Sequence, residues 1–382
     1  MPTSSKESSS YRSQRRTVGD LSLLEKLDTI SIILAVLTTA IGALLKGPFR
    51  SIEKSSKSYY RYVALSVLRK FITRSSVRQQ HYLTAPTDDA YRAACKKRRF
   101  TPNSEILEDG TQAHWLGSSK AEKLLLNFHG GGYVVPASPE MFEFMFQIVD
   151  LLNKNGKNVA CLMLSYDLAP GAVYPRQLQQ ASMFLNHVVN KLLIEPNNII
   201  LSGDSAGANL ALALVSHISH PHPSTTLPIP KFSVSSPFRG LVLISPWVSF
   251  DLTYPSFAKN EYKDLITTNA GMEWSSAFLA CPWPHTSASD YYNQAITAPS
   301  SWWKDIPVQE VFIVVGDEEV LLDGITKFER QFTEGFGEGK VEFKVFEGEY
   351  HDQPSIDLQL GYKESQEGET AKAIKGWIVS RL

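Results

Sequence analysis

Apolar positions along the second two-thirds of this chain fall into two alternating patterns. Leu124-Leu125-Leu126-Asn127-Phe128 is a short, nearly continuous apolar run, the mark of a strand buried on both faces. Residues 140–154 follow with Met145, Ile148, Val149 and Leu152 at helical spacing. Val159 to Leu164 reads as a strand, about 175–193 as a helix, and Asn198-Ile199-Ile200-Leu201 as a strand that runs into an alanine- and leucine-rich helix. Residues 219–237, rich in Pro, Ser and His, predict a loop. Leu241 to Ile244, Val311 to Val315 and Val341 to Val345 predict further strands, and a helix from about 364 closes the chain. Strands alternating with helices predict a doubly wound, mostly parallel α/β sheet. Right-handed crossovers bring the C-terminal ends of such strands to one edge, where ligands bind.

The first third breaks this rhythm. Residues 1–19 are Ser- and Arg-rich without an apolar core and read as disordered, opening a polar leader that extends to residue 28. Thr29 to Leu45 then carries no charge and is bounded by Asp28 and Lys46. That length sits at the short end of the roughly 17–25 residues that span a bilayer. It is read as a membrane anchor over 29–46, the competing reading being an apolar helix docked on the globular part. Basic residues flank both sides, Arg12, Arg15, Arg16 and Lys26 before and Lys46, Arg50, Lys54 and Lys57 after, so charge sets no orientation. Residues 48–75 continue as a basic, Tyr-containing amphipathic helix suited to a membrane surface or a lid.

Composition narrows the function. The chain has 382 residues and a formal net charge of -1, so it carries no bulk footprint for nucleic acid. Its three cysteines, Cys95, Cys161 and Cys281, are scattered and odd in number, which argues against a disulfide framework. Cys161, inside a strand-like run, reads as core. The absence of an Asn-x-Ser/Thr sequon favours a cytosolic or cytosol-facing location.

The chemistry centres on Gly203-Asp204-Ser205-Ala206-Gly207, placed between a strand and a helix. This G-x-S-x-G turn is sharp, so the residues flanking the serine must be very small, and the hydroxyl is held out at the sheet edge. A serine is a poor nucleophile at neutral pH. It needs a base within hydrogen-bond reach, and the base needs an orienting carboxylate. Asp317, Glu318, Glu319 and Asp323 cluster after one later strand, and His351, after the last strand, is the one histidine beyond them. That makes His351 the candidate base. Gly131 and Gly132, after the strand at 124–128, can bring backbone N–H groups close to a developing oxyanion, and Ala206 N–H adds a third. Asp204 reads as orienting the turn, and His129 as shaping the glycine loop. The histidines at 217, 220 and 222 look like a metal cluster but fall in a proline-rich loop without partner carboxylates, so they read as solvated; no metal site is expected.

His129-Gly130-Gly131-Gly132 followed by Gly203-Asp204-Ser205-Ala206-Gly207 resembles the hormone-sensitive-lipase-like family of α/β-hydrolases. Tyr166-Asp167-Leu168-Ala169-Pro170, Tyr174-Pro175 and Ser245-Pro246-Trp247 support the likeness, which covers roughly residues 100–382. The resemblance implies an α/β-hydrolase fold, carboxylic ester hydrolysis without a cofactor, Ser205 as nucleophile, His351 as base, and Gly131, Gly132 and Ala206 as oxyanion hole. Glu319-Val320-Leu321-Leu322-Asp323 stands where many relatives carry Asp-Pro-Leu-x-Asp. That favours Glu319 as the acid, with Asp317 its competitor and Asp323 a capping or supporting residue.

Two regions remain for substrate choice. Residues 47–100 are expected to form cap or linker helices, and 250–305 a cap insertion in the catalytic domain of 101–382. The insertion is aromatic: Tyr254, Phe257, Tyr262, Trp274, Phe278, Trp283, Tyr291, Tyr292, Trp302 and Trp303. Most of these are expected to pack cap on core. The expected substrate is a small-molecule ester with a bulky apolar group, a lipid, steryl ester or secondary metabolite, cleaved through an acyl-enzyme. The apolar run over 29–45 favours a membrane location, the endoplasmic reticulum among the candidates, over a cytoplasmic one. An amidase or formamidase would need the same residues, and a non-catalytic receptor on this fold would typically lack the base.

Overall fold

The computed structural model describes residues 21–382 except 54, 57 and 286–288. The expected disorder of residues 1–19 lies outside the described residues. Eight strands form one sheet in the order β1-β2-β4-β3-β5-β6-β7-β8. They are β1 (Ser104–Ile106), β2 (Gln112–Leu116), β3 (Lys123–Phe128), β4 (Val159–Ser165), β5 (Ile199–Asp204), β6 (Gly240–Ile244), β7 (Val311–Gly316) and β8 (Val341–Phe346). From β4 to β8 every neighbouring pair is parallel, whereas β1 and β2 run antiparallel at one edge. Those two strands are absent from the pattern-based expectation. β1 is three residues long, and Gln112-Ala113-His114-Trp115-Leu116 interleaves polar side chains with apolar ones.

Helices cover both faces: α5 (Pro139–Lys154), α6 (Arg176–Asn190), α7 (Ala206–Ser219), α10 (Leu322–Phe336) and α12 (Glu369–Arg381), the last starting later than expected, after Gly368. Two apolar clusters result, one on each side of the sheet; Cys161, Leu125, Ile200 and Val314 face the second. Cys161 is fully buried and all three cysteines are free.

The N-terminal part is helical: α1 (Leu23–Lys46), α2 (Tyr59–Arg74), α3 (Val77–Leu83) and α4 (Thr87–Arg98). α1 opens with a capping box, Ser22 accepting from Glu25 N–H while Glu25 accepts from Ser22 N–H. The single helix expected over 48–75 is broken. Pro48 lies in a one-turn helix over Gly47–Phe49, where it cannot continue the ladder, and α2 restarts at Tyr59 under the Ser58 cap. α1 does not project freely. Asp28 takes two hydrogen bonds from Arg74, and Tyr59 donates to the Leu44 carbonyl near the other end. Thr29, Ile32 and Ala43 face the protein, while Leu23, Leu27, Ile30, Leu34, Leu37 and Ile41 are exposed.

A helical cap crosses the C-terminal edge of the sheet, built from α8 (Pro255–Asn260), α9 (Thr268–Leu279) and loops between them and β7. Phe278 stacks on Tyr133 with ring centroids 3.9 Å apart, and Trp303 packs between Phe328 and Phe332. Most of the aromatic side chains of this segment thus join cap to core, although Tyr262 is largely exposed.

Candidate active site

The strand β5 ends at Asp204, and the next residue sits in a sparsely populated conformation: Ser205 has φ 52° and ψ -116°. A non-glycine residue held there costs on the order of 1–3 kcal/mol, so the surrounding packing must enforce it. Ser205 N–H donates to the Ile244 carbonyl, and the Ser205 carbonyl accepts from Trp247 N–H. Gly207 is required because α7 crosses β3 closely: a Cβ there would lie 1.9 Å from the Phe128 carbonyl oxygen.

His351 follows β8 and reaches back across the edge. Its Nε2 lies 2.9 Å from Ser205 Oγ, and its Nδ1 lies 3.1 Å from Glu319 Oε2. With Nδ1–H donating to Glu319, Nε2 is left to accept the serine proton. Glu319 Oε1 in turn accepts from Ser245 Oγ at 2.7 Å and Gly316 N–H at 2.6 Å. Asp317 points elsewhere, accepting from Gly348 N–H, and Asp323 accepts from Ser256 N–H at the start of α8. Of the acidic cluster, Glu319 is the residue brought to His351.

All three side chains are buried. Burial disfavours the charged ring of His351, but the Asp352 and Glu319 carboxylates outweigh it and hold the imidazole well above its ordinary value. Burial pushes the Glu319 carboxyl up, against the pull of His351.

The glycine loop sits opposite. Gly131 has φ 101° and Gly132 φ 61°. The Gly131 carbonyl accepts from Val134 and Val135, closing the turn. A side chain at Gly132 would collide with the Trp274 ring, its Cβ coming within 2.4 Å. The N–H groups of Gly131, Gly132 and Ala206 serve no other hydrogen bond among the described residues. Asp204 orients this loop by accepting from Gly130 N–H at 2.9 Å. His129 donates from Nδ1 to the Gly130 carbonyl at 2.7 Å and stacks on Tyr166, and burial lowers its ring to about 4, so it stays neutral.

The mouth above Ser205 is lined by Gly132, Trp247, Leu252, Phe257, Ile266 and Trp274, with Leu321 beside His351. Apart from Ser205 and His351 it is largely apolar.

Sequence reasoning missed several supports. Asn209, in α7, accepts from Tyr133 Oη at 2.6 Å and donates to the Trp247 carbonyl at 2.9 Å, joining the glycine loop to the segment after β6. Asp264, in the cap, accepts from Val320 N–H and His351 N–H. Asp352, next to His351, folds back with φ 51° so that Oδ2 lies 3.3 Å from His351 Nε2. A carboxylate following the histidine in sequence was a visible signal for the last of these. The histidines of the 217–222 stretch are not solvated, as expected from the prolines, but engaged. His217 is buried against the Pro230 carbonyl, His220 stacks on Trp302, and His222 meets Tyr174 Oη at 2.7 Å.

A family profile described as the alpha/beta hydrolase fold matches residues 125–354. Among curated relatives, an esterase of Acinetobacter venetianus is 27% identical over 235 residues, 60% of this chain and 67% of that one. Arylacetamide deacetylase-like 2 of Homo sapiens is 22% identical over 229 residues, 55% of this chain, and the match spans about half of that relative, 53%. Among solved structures, an esterase from the bacterial hormone-sensitive lipase family superimposes with a TM-score of 0.61 at 18% identity. The superposition covers 85% of this chain and 99% of that one, a likeness of fold.

Proposed function

This chain belongs to the α/β-hydrolase fold family as a carboxylic ester hydrolase of the hormone-sensitive-lipase-like type, and from that premise we propose that Ser205, His351 and Glu319 cleave a bulky apolar ester through an acyl-enzyme. The observation that carries this reading is the 2.9 Å contact between Ser205 Oγ and His351 Nε2. As Ser205 Oγ attacks the ester carbonyl, its proton moves to Nε2, and Glu319 holds the ring in the required tautomer. The oxyanion forms within reach of the N–H groups of Gly131, Gly132 and Ala206; losing one such donor typically costs on the order of 10²–10³ in rate. The Nε2 proton then passes to the leaving alkoxide, and water repeats the sequence on the acyl-enzyme.

The bulk and polarity of the substrate are read from the mouth. Trp247, Leu252, Phe257, Ile266 and Trp274 offer no hydrogen-bonding group to the ester flanks other than the two indole N–H groups, and Trp274 Nε1 is already taken by Gln80. An apolar acyl or alcohol group fits such a lining. Membrane association is proposed through the exposed apolar side of α1. Its other side stays docked on α2, which fits an interfacial helix better than a span.

The test is hydrolysis of p-nitrophenyl acetate and butyrate by the detergent-solubilised chain, extended to long-chain and steryl esters. Ser205→Ala is expected to abolish turnover, and full activity in that variant would overturn the reading.

A further inference from the structure

Two carboxylates, not one, touch the His351 ring. Glu319 takes the Nδ1 edge, and Asp352 Oδ2 stands 3.3 Å from Nε2, the same nitrogen that faces Ser205 Oγ. A carboxylate oxygen and a neutral Nε2 are both acceptors, so this contact is a hydrogen bond only when Nε2 carries a proton. In the neutral ring the two lone pairs oppose each other.

Asp352 is held there by its backbone. Its φ of 51° and ψ of 31° turn the side chain back towards the ring, and its own carbonyl accepts from Ser355 and Ile356 N–H at the start of α11 (Gln353–Gln359). The residue is buried, and its Oδ1 has no hydrogen-bond partner among the described residues. An unsatisfied buried carboxylate oxygen is costly, and such a group calls for an explanation. The Asp204 carboxyl faces the same small cavity, and burial together with the charge of Asp352 pushes it well above its ordinary value.

We propose that Asp352 is a positioning residue of the reaction: its carboxylate accepts a hydrogen bond from His351 Nε2–H once Ser205 has given up its proton, steadying the imidazolium between attack and departure of the leaving group. The proposal rests on the reading of Ser205, His351 and Glu319 as the reacting set. The proton balance is simple. The Ser205 O–H bond breaks as the Oγ–carbon bond forms, and the proton resides on Nε2. It leaves with the alkoxide when the ester C–O bond breaks. Asp352 gains and loses a hydrogen bond but never the proton. Its Oδ2 and Ser205 Oγ both lie within reach of the one N–H, so the proton stays beside the reaction path.

The groups facing the ring are Glu319 from the segment after β7, Asp264 from the cap on the His351 backbone N–H, Asp204 from the end of β5, and Asp352 itself. All are acidic. The base is therefore freed only at a pH above that of an ordinary histidine, and activity rises through that pH.

The test is the rate of fluorophosphonate labelling of Ser205 against pH in the full chain, a readout independent of the natural substrate. Asp352→Asn and Asp352→Gly both tolerate a positive φ and remove the carboxylate. Each is expected to move the acid limb down by about one pH unit. At the foot of the native limb each would then label about tenfold faster relative to its own plateau. Limbs that coincide with the native one in both variants overturn the proposal. A native chain that does not label at all removes the triad reading as well, so the two failures are separable.

Discussion

Arg69 donates from its guanidinium to the backbone carbonyl of Asp264 across 2.6 Å, in the buried seam between α2 and the cap. The Asp264 carboxylate then accepts from Val320 N–H at 2.8 Å and His351 N–H at 3.2 Å. One buried side chain thus fastens the segment carrying Glu319 to the segment carrying His351, and is itself fastened to the N-terminal helices. These helices thus brace the loops on which Glu319 and His351 stand.

Asp264→Asn tests that brace. The amide places an N–H₂ where an acceptor was, leaving unpaired either the Val320 N–H or the Leu265 and His351 N–H groups that share Oδ1. An orphaned buried donor costs about 1–3 kcal/mol. If that strain falls on the triad geometry, kcat on a p-nitrophenyl ester drops about 10–100-fold while KM stays within about threefold. A kcat within twofold of the native chain, with thermal unfolding unchanged, would show that the brace is dispensable.

Glu319 and Asp317 make the second test. The pattern of residues leaves them as competitors, two positions apart after the same strand. The geometry separates them, since Asp317 is committed to Gly348 N–H and Glu319 to His351. Glu319→Ala should lower kcat by roughly 10⁴, the loss seen when an orienting carboxylate is removed from such a set. Asp317→Ala should lower it by less than about tenfold, acting through the loop. Steady-state kinetics of the two purified variants decide the matter, and the reverse ranking would reassign the acid.

What the sequence made legible was whatever depends on local spacing and chain order. The strand, tight turn and helix around Ser205, the glycine loop and the chain order of Ser205, the acidic cluster and His351 could be read off, and the fold brings these residues to one sheet edge. β1 and β2 were not legible, because short edge strands with mixed polarity have no distinctive period. Ser245, Asn209 and Asp264 were not legible for a different reason. Each acts on a partner 38 or more residues away, and nothing in the neighbourhood of an isolated Ser, Asn or Asp announces such a contact. The late start of α2 could have been read in part, since Ser58 is a good N-cap and the serine-rich residues before it have no apolar period.

The last prediction concerns α1. The helix is 24 residues long, about 36 Å, and so has the length of a span. Its docked side argues for a different arrangement. Thr29, Ile32 and Ala43 are buried against the protein, and both ends are tied to α2, so withdrawing α1 into a bilayer would strip those contacts. The exposed side is left to a membrane surface. Leu34 and Ile41, each 57% exposed, lie on it. Leu34→Lys and Ile41→Lys each forfeit about 2 kcal/mol of apolar burial in lipid, or roughly thirtyfold in partitioning per substitution. The native chain should float with phosphatidylcholine vesicles and be released by carbonate at high pH, whereas a spanning helix would resist the wash. The double variant should remain in the soluble fraction while keeping its esterase activity in detergent, because both side chains are more than half exposed on the side of α1 away from Thr29, Ile32 and Ala43. Loss of activity alongside loss of floatation would instead mean that α1 supports the catalytic domain through its outer side as well as its inner one.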